Sequence, residues 1–155
     1  MHIAQKCGRI FGDYFDGSGF MELLFRPIEK DKLVQMPVLT LAHMGDCVFE
    51  LMARSYVASK GIYLAGTAHK KTIQLVSAKA QSRMIHSVMD RLTEDELAYY
   101  HRGRNAKPKT VSKNADIKDY MAATGLETLF GALYFEGKRE RIEELFELCV
   151  KAMEE

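Results

Sequence analysis

Apolar residues along this chain recur at intervals of three and four from Leu39 almost to the last residue, the period of amphipathic helices. Leu41, Met44, Val48, Leu51 and Met52 fall on one arc of a helix expected over about 39–60. Gly61 follows, and glycine suits the left-handed conformation that closes a helix. A second helix is expected over 67–90, with Ile73, Val76, Ala80, Met84 and Val88 as its apolar stripe and Lys70, Lys71, Lys79 and Arg83 as a basic flank. Thr93 and Glu96 have the spacing of a capping box and start a short helix through Leu97, Tyr99 and Tyr100. A fourth helix is expected over 115–136, with Ala122, Leu126, Leu129 and Leu133 sharing a face. The last, over 139–153, turns Ile142, Leu145, Phe146, Cys149 and Val150 inward and Glu140, Glu143, Glu144 and Glu147 outward. No strand-rich pattern or internal repeat appears, so the class is all-α. Residues 1–36 carry turn signals at Gly12-Asp13 and Asp16-Gly17-Ser18-Gly19. They read as an N-terminal extension whose aromatics (Phe11, Tyr14, Phe15, Phe20, Phe25) imply that it packs on something, with the helical domain over 37–155.

One polar residue interrupts this pattern. Asp46 follows Gly45 in the middle of the first helix, and Glu50 lies one turn on. Their side of the helix also carries Ala42, Phe49, Ala53 and Val57, and a helix apolar nearly all round is usually buried. A carboxylate in such a place should be paired or should bind a metal; a salt bridge or a helix edge satisfies the same residues. Glu127 repeats the motif in the fourth helix, alongside Ala123, Thr124, Gly131 and Tyr134. Small residues let a second helix approach closely, and Gly45 does the same beside Asp46. Two helices built this way can bring both carboxylates to one site.

Composition narrows the partners only locally. The chain has 155 residues, 47% hydrophobic and 28% charged, which suits one globular domain. A net charge of +1 selects no partner. Between His101 and Lys113, however, five cations (Arg102, Arg104, Lys107, Lys109 and Lys113) stand beside Asn105 without an acid, and Gly103 and Pro108 argue against a regular helix there. Such a loop suits phosphate oxygens and base or sugar edges; a solvated loop is the alternative. No apolar run approaches a membrane span and no secretory signal is evident. Three separated cysteines imply reduced thiols and a cytoplasmic home. His69, His86 and His101 lack metal-ligand spacing. Glycine-rich phosphate loops and Ser/His/Asp signatures are absent.

Three stretches carry a resemblance to a known family. Leu41-Ala42-His43-Met44-Gly45-Asp46-Cys47-Val48-Phe49-Glu50 resembles the signature helix of the ribonuclease III endonuclease domain. Arg102-Gly103-Arg104-Asn105-Ala106-Lys107, and the run from Ala123 to Tyr134, are similar to the Mini-ribonuclease III branch, which lacks a separate double-stranded-RNA-binding domain. The resemblance covers about Pro37 to Met153. It implies a ribonuclease III endonuclease-domain-like helical bundle, a homodimer that cleaves double-stranded RNA with Mg²⁺ (or Mn²⁺ in its place), and precursor 23S ribosomal RNA as substrate. The family's Gly-Asp falls on Gly45-Asp46 and its late metal-binding Glu on Glu127. Ala42 and Thr124 stand where full-length ribonuclease III has a Glu and an Asp, and the short branch shares that thinner set. Asp46 and Glu127 are thus the expected catalytic and metal-binding residues. Arg102, Arg104, Asn105, Lys107, Lys109 and Lys113 are the expected RNA contacts. Glu50 is either an orienter of the site or a helix salt bridge. The alternative function is a non-catalytic RNA-binding or ribosome-associated module on the same fold, which would lose the carboxylates. A hydrolase of small phosphate esters would need His/Asp clusters that the chain lacks.

Overall fold

A computed structural model describes residues 26–106 and 116–154. It holds seven α-helices and no strand among the described residues: α1 (Lys30–Gln35), α2 (Val38–Ser59), α3 (Ala65–Val76), α4 (Ala78–Val88), α5 (Glu94–Arg104), α6 (Ile117–Phe135) and α7 (Arg139–Glu154), with one 3₁₀ turn at Met89–Arg91. The bundle is built around α6. Eleven of its residues are buried, from Ala122 to Leu133, and α2, α4, α5 and α7 all pack on it. An all-round apolar helix such as this needs neighbours on every side.

The described part of the N-terminal segment docks onto the domain. Leu33 of α1 is fully buried, and the Ile28 N–H donates to the Phe135 carbonyl at 2.7 Å. The aromatics of residues 11–25 lie outside the described residues.

Several expectations hold and others need correction. Gly61 closes α2 at φ 77°, and Thr93 and Glu96 form both bonds of the capping box. The five inward residues of α7 are all buried. The expected second helix is two, because Ser77 adopts an extended conformation and its hydroxyl caps the Ala80 N–H at 3.4 Å. A side chain that bonds the backbone locally competes with helix continuation. Gly103 does not end α5, which runs on to Arg104. A Cβ there would lie 2.6 Å from Thr128 Cβ and 2.7 Å from the Thr124 carbonyl, so glycine is what lets α5 seat on α6.

The first helix presents its faces differently from the expectation. Phe49 and Ala53 are fully buried, whereas Leu51 is 62% exposed. Phe49 meets Phe130 and Phe146 edge-on, with ring centroids 5.1 and 5.3 Å away. The Phe49–Ala53 side is therefore the core of the protomer. The open side is the one that carries Leu51.

Candidate active site

Asp46 and Glu127 reach one place because two helices touch without side chains between them. A Cβ on Gly45 of α2 would overlap the Glu127 carbonyl oxygen and lie 2.6 Å from its carbon and 2.7 Å from the Gly131 nitrogen. A Cβ on Gly131 would likewise overlap the Leu41 carbonyl oxygen. The crossing leaves room only for hydrogen at both positions. Asp46 follows Gly45 on the rim of this crossing, exposed to solvent, and Glu127 stands on its inner edge, half-buried.

The electrostatics of the pair are unfavourable. Burial pushes the Glu127 carboxyl up to about 8; the Asp46 charge adds to the rise and the Gln81 amide opposes it. The Asp46 carboxyl is also raised, first by partial burial and then by Glu50, with His43 opposing. The mutual repulsion falls on Glu127 because Asp46, the more exposed, ionises first and Glu127 must ionise beside it. Asp46, expected in a buried setting, is therefore the wetter of the two acids.

This donor set fits a hard divalent cation. Two carboxylates whose joint ionisation is opposed by burial and by each other are relieved by a positive charge between them. Mg²⁺ is commonly held by one or two carboxylates with water completing its shell. Among the described residues no group of three or more His, Cys, Asp and Glu converges, so a closed site of the structural zinc kind does not fit.

The remaining expected residues separate. Glu50 is held by Arg54, whose Nε donates to it at 3.0 Å. The Arg102 guanidinium is half-buried and donates to the Met36 carbonyl, tying the N-terminal segment to α5. Arg104 and the C-cap Asn105 are exposed at the end of α5. Gly103, just before them, rests on Thr124 and Thr128, which flank Glu127 on α6. The described start of the basic stretch thus follows a glycine that packs on the residue next to Glu127 in α6. Lys107, Lys109 and Lys113 lie outside the described residues.

Sequence reasoning missed Gln81. It is 1% exposed on α4, and its Nε2 has no partner at hydrogen-bonding geometry although the amide faces the Glu127 carboxyl. An unsatisfied buried donor costs about 1–3 kcal/mol. The signal was present: Gln81, Met84, Ile85 and Val88 are spaced i, i+3, i+4 and i+7, so the amide occupies a core position of its helix.

Comparison with known proteins bears on the family and the fold. The profile of the ribonuclease III domain matches residues 39–138. A Mini-ribonuclease 3 of Clostridium tetani is 45% identical over 81% of this chain and 84% of its own length. Those of Enterococcus faecalis and Brevibacillus brevis are 41% and 40% identical, over 78% and 82% of this chain and 93% and 98% of theirs. A crystal structure of a Fusobacterium nucleatum protein, 31% identical, superposes with a TM-score of 0.66 over 75% of this chain and 93% of that one. The chain belongs to the ribonuclease III domain family, in its Mini-ribonuclease 3 branch, and is an endoribonuclease.

Proposed function

We propose that this endoribonuclease cleaves double-stranded RNA by divalent-metal-dependent hydrolysis, with Asp46 and Glu127 as the metal-binding and catalytic residues. The observation that carries the reading is the glycine crossing, which sets two acids of like charge together at the edge of the core. Packing alone does not explain that arrangement, since it opposes the ionisation of Glu127. When bound, Mg²⁺ or Mn²⁺ would supply the Lewis acidity for activating a water toward phosphorus and for steadying charge on the departing 3′ oxygen. Asp46 and Glu127 would hold the cation, with water and a substrate phosphate completing its shell. The products carry 5′-phosphate and 3′-hydroxyl ends.

The RNA grip is assigned to Arg104, Asn105, Lys107, Lys109 and Lys113, with Arg102 anchoring the base of the stretch. Duplex RNA is bound largely through backbone and 2′-hydroxyl contacts, which a cationic stretch can supply. The substrate within this class is precursor 23S ribosomal RNA, as the short-branch resemblance implies. A homodimer matches the two-fold symmetry of a duplex and puts one cut on each strand. The exposed side of α2 around Leu51 is the surface offered to the second copy. The setting is the cytoplasm, consistent with free thiols at Cys47 and Cys149; among the described residues no helix is long and apolar enough to cross a membrane.

Asp46→Asn and Glu127→Gln are expected to lower Mg²⁺-dependent cleavage of a long RNA duplex by about 10³-fold or more while duplex binding persists. Cleavage near the parent rate in either variant removes the assigned site. Full binding with no cleavage by the parent protein at any Mg²⁺ or Mn²⁺ concentration favours the non-catalytic module.

A further inference from the structure

Most buried polar side chains of this bundle look after themselves. Thr72 donates to the Ala68 carbonyl at 3.0 Å, Thr124 to the Tyr120 carbonyl at 3.0 Å and Thr128 to the Thr124 carbonyl at 2.7 Å. Each bond closes within its own helix. Buried Glu96 is held by Arg141 at 2.9 Å. Among the described residues Gln81 departs from this pattern, with 1% exposure and an unpartnered Nε2; the other such atom, Glu136 Oε2, lies 2.8 Å from Lys138 Nζ. Leucine or methionine would fill the same core position without an orphaned donor. The amide nonetheless points to one particular neighbour, the Glu127 side chain, on the face of α6 that meets α4.

We propose that Gln81 is a positioning residue of the nuclease site, whose Nε2 donates to one Glu127 oxygen when the carboxylate takes a divalent cation and so turns the other oxygen toward Asp46. The inference rests on the carboxylate-pair reading of the site. A buried donor left without a partner on the face that meets α6 is what this role requires, because it gains its acceptor when a Glu127 oxygen turns toward it. Neighbours that orient a metal-binding carboxylate in this way commonly contribute 10- to 100-fold to affinity or activity. Gln81 touches neither substrate nor cation; it acts through Glu127.

The test uses the full chain with Gln81→Met, which keeps the length and apolar bulk of the side chain, and Gln81→Leu as a second variant. Melting temperature, kcat and KM on a long RNA duplex, and Mn²⁺ affinity from the paramagnetic resonance signal of free Mn²⁺ without RNA, are measured beside Asp46→Asn. The expected result is a melting temperature at or above that of the parent, a KM within about twofold, a kcat lower by about 10- to 100-fold and Mn²⁺ affinity weaker by about tenfold. Parent-like kcat and Mn²⁺ affinity in a folded variant overturn the proposal. So does a fall in kcat that tracks lost stability with Mn²⁺ affinity unchanged, or failure of both variants to fold, since either makes Gln81 structural. The Asp46→Asn control separates the two levels: if it binds Mn²⁺ and cleaves as the parent does, the carboxylate pair itself is wrong, whatever the Gln81 variants show.

Discussion

Helix α6 is crossed closely on two sides, and the crossings are built alike but loaded differently. On one side Gly103 of α5 lies against Thr124 and Thr128, and Gly125 of α6 against the Tyr100 ring. The hydroxyls there bond to their own helix, and Tyr100 is 1% exposed. On the other side Gly45 and Gly131 bring α2 against α6 with the same economy of atoms, yet the result is two acids in each other's field and an amide without an acceptor. A crossing selected for packing alone would resemble the first. The second keeps unfavourable groups together, and those are the groups a cation and a phosphate would satisfy.

The sharpest way to break this contrast is to add one methyl group to each crossing. On Gly45 it would overlap a backbone carbonyl, which cannot move without moving α6, so Gly45→Ala is expected to cost about 3 kcal/mol or more. On Gly103 it would meet the Thr128 side chain and, at 2.7 Å, the Thr124 carbonyl oxygen, a shallower backbone overlap than at Gly45, so Gly103→Ala is expected to cost about 1–3 kcal/mol. Thermal melts give the stabilities. Cleavage well below each melting temperature gives the more telling result: Gly45→Ala loses activity while folded, because Glu127 is displaced, and Gly103→Ala keeps most of it. Equal residual activities would show that the two crossings do not differ in function.

Much of this was legible before any coordinates. The helical period, the capping box and the Gly45–Asp46 and Glu127–Gly131 pairings all follow from local spacing, and local spacing is what a helix preserves. Three things were not legible. Which side of α2 faces the core depends on where Phe130 and Phe146 come to lie, and no period within α2 encodes that. The break at Ser77 rests on a single hydroxyl competing with the backbone inside a periodic stretch. Asp46 is exposed rather than in the buried setting expected, because its depth depends on what the neighbouring helices cover and not on the period within α2.

The next effect separates binding from chemistry. The first crossing delivers the chain to the basic stretch, and the second holds the acids. Neutralising Arg104, Lys107 and Lys109 with glutamine should therefore weaken duplex binding about 10- to 100-fold and flatten the slope of log affinity against log salt by about two to three, at 0.7–0.9 per cation lost. Cleavage at saturating RNA should change little. Filter binding across a salt series checks the first part and single-turnover cleavage the second. An unchanged slope would take the stretch out of the interface.

A smaller effect comes from the acid pair itself. Glu127 has its carboxyl raised to about 8 in the fold against about 4.5 when unfolded. The unfolded chain releases this proton first, so the contribution to stability is full below about pH 4.5 and is lost as pH rises toward 8. Glutamine cannot ionise. Metal-free Glu127→Gln should match the parent near pH 4.5 and exceed it by about 1–2 kcal/mol at pH 8, with water access moderating the gain. Adding Mg²⁺ should stabilise only the parent, and more so at higher pH, because metal binding needs the ionised carboxylate. Denaturant melts at the two pH values, with and without Mg²⁺, decide it. A variant that falls below the parent at pH 8 without metal would mean that Glu127 is held by contacts other than those described.

The smallest expected effect concerns Glu50, at the edge of the same crossing. Its two readings were an orienter of the site and a helix salt bridge. Arg54 Nε holds it at 3.0 Å, one turn along α2, while its charge raises the Asp46 carboxyl. An exposed pair one turn apart contributes about 0.3–0.5 kcal/mol, so Glu50→Gln should barely move the melting temperature. Removing a negative charge beside Asp46 also lets Asp46 ionise at lower pH, which offsets part of the attraction that Glu50 lends to a cation. The two changes oppose each other, and the expected result is cleavage within about threefold of the parent, with the pH dependence of Mg²⁺ activation shifted slightly to lower pH. An orienting role would instead cost about 10- to 100-fold. A loss of that size would extend the functional side of the crossing by a full turn of α2, and Arg54 would then be the residue that holds the orienter in place.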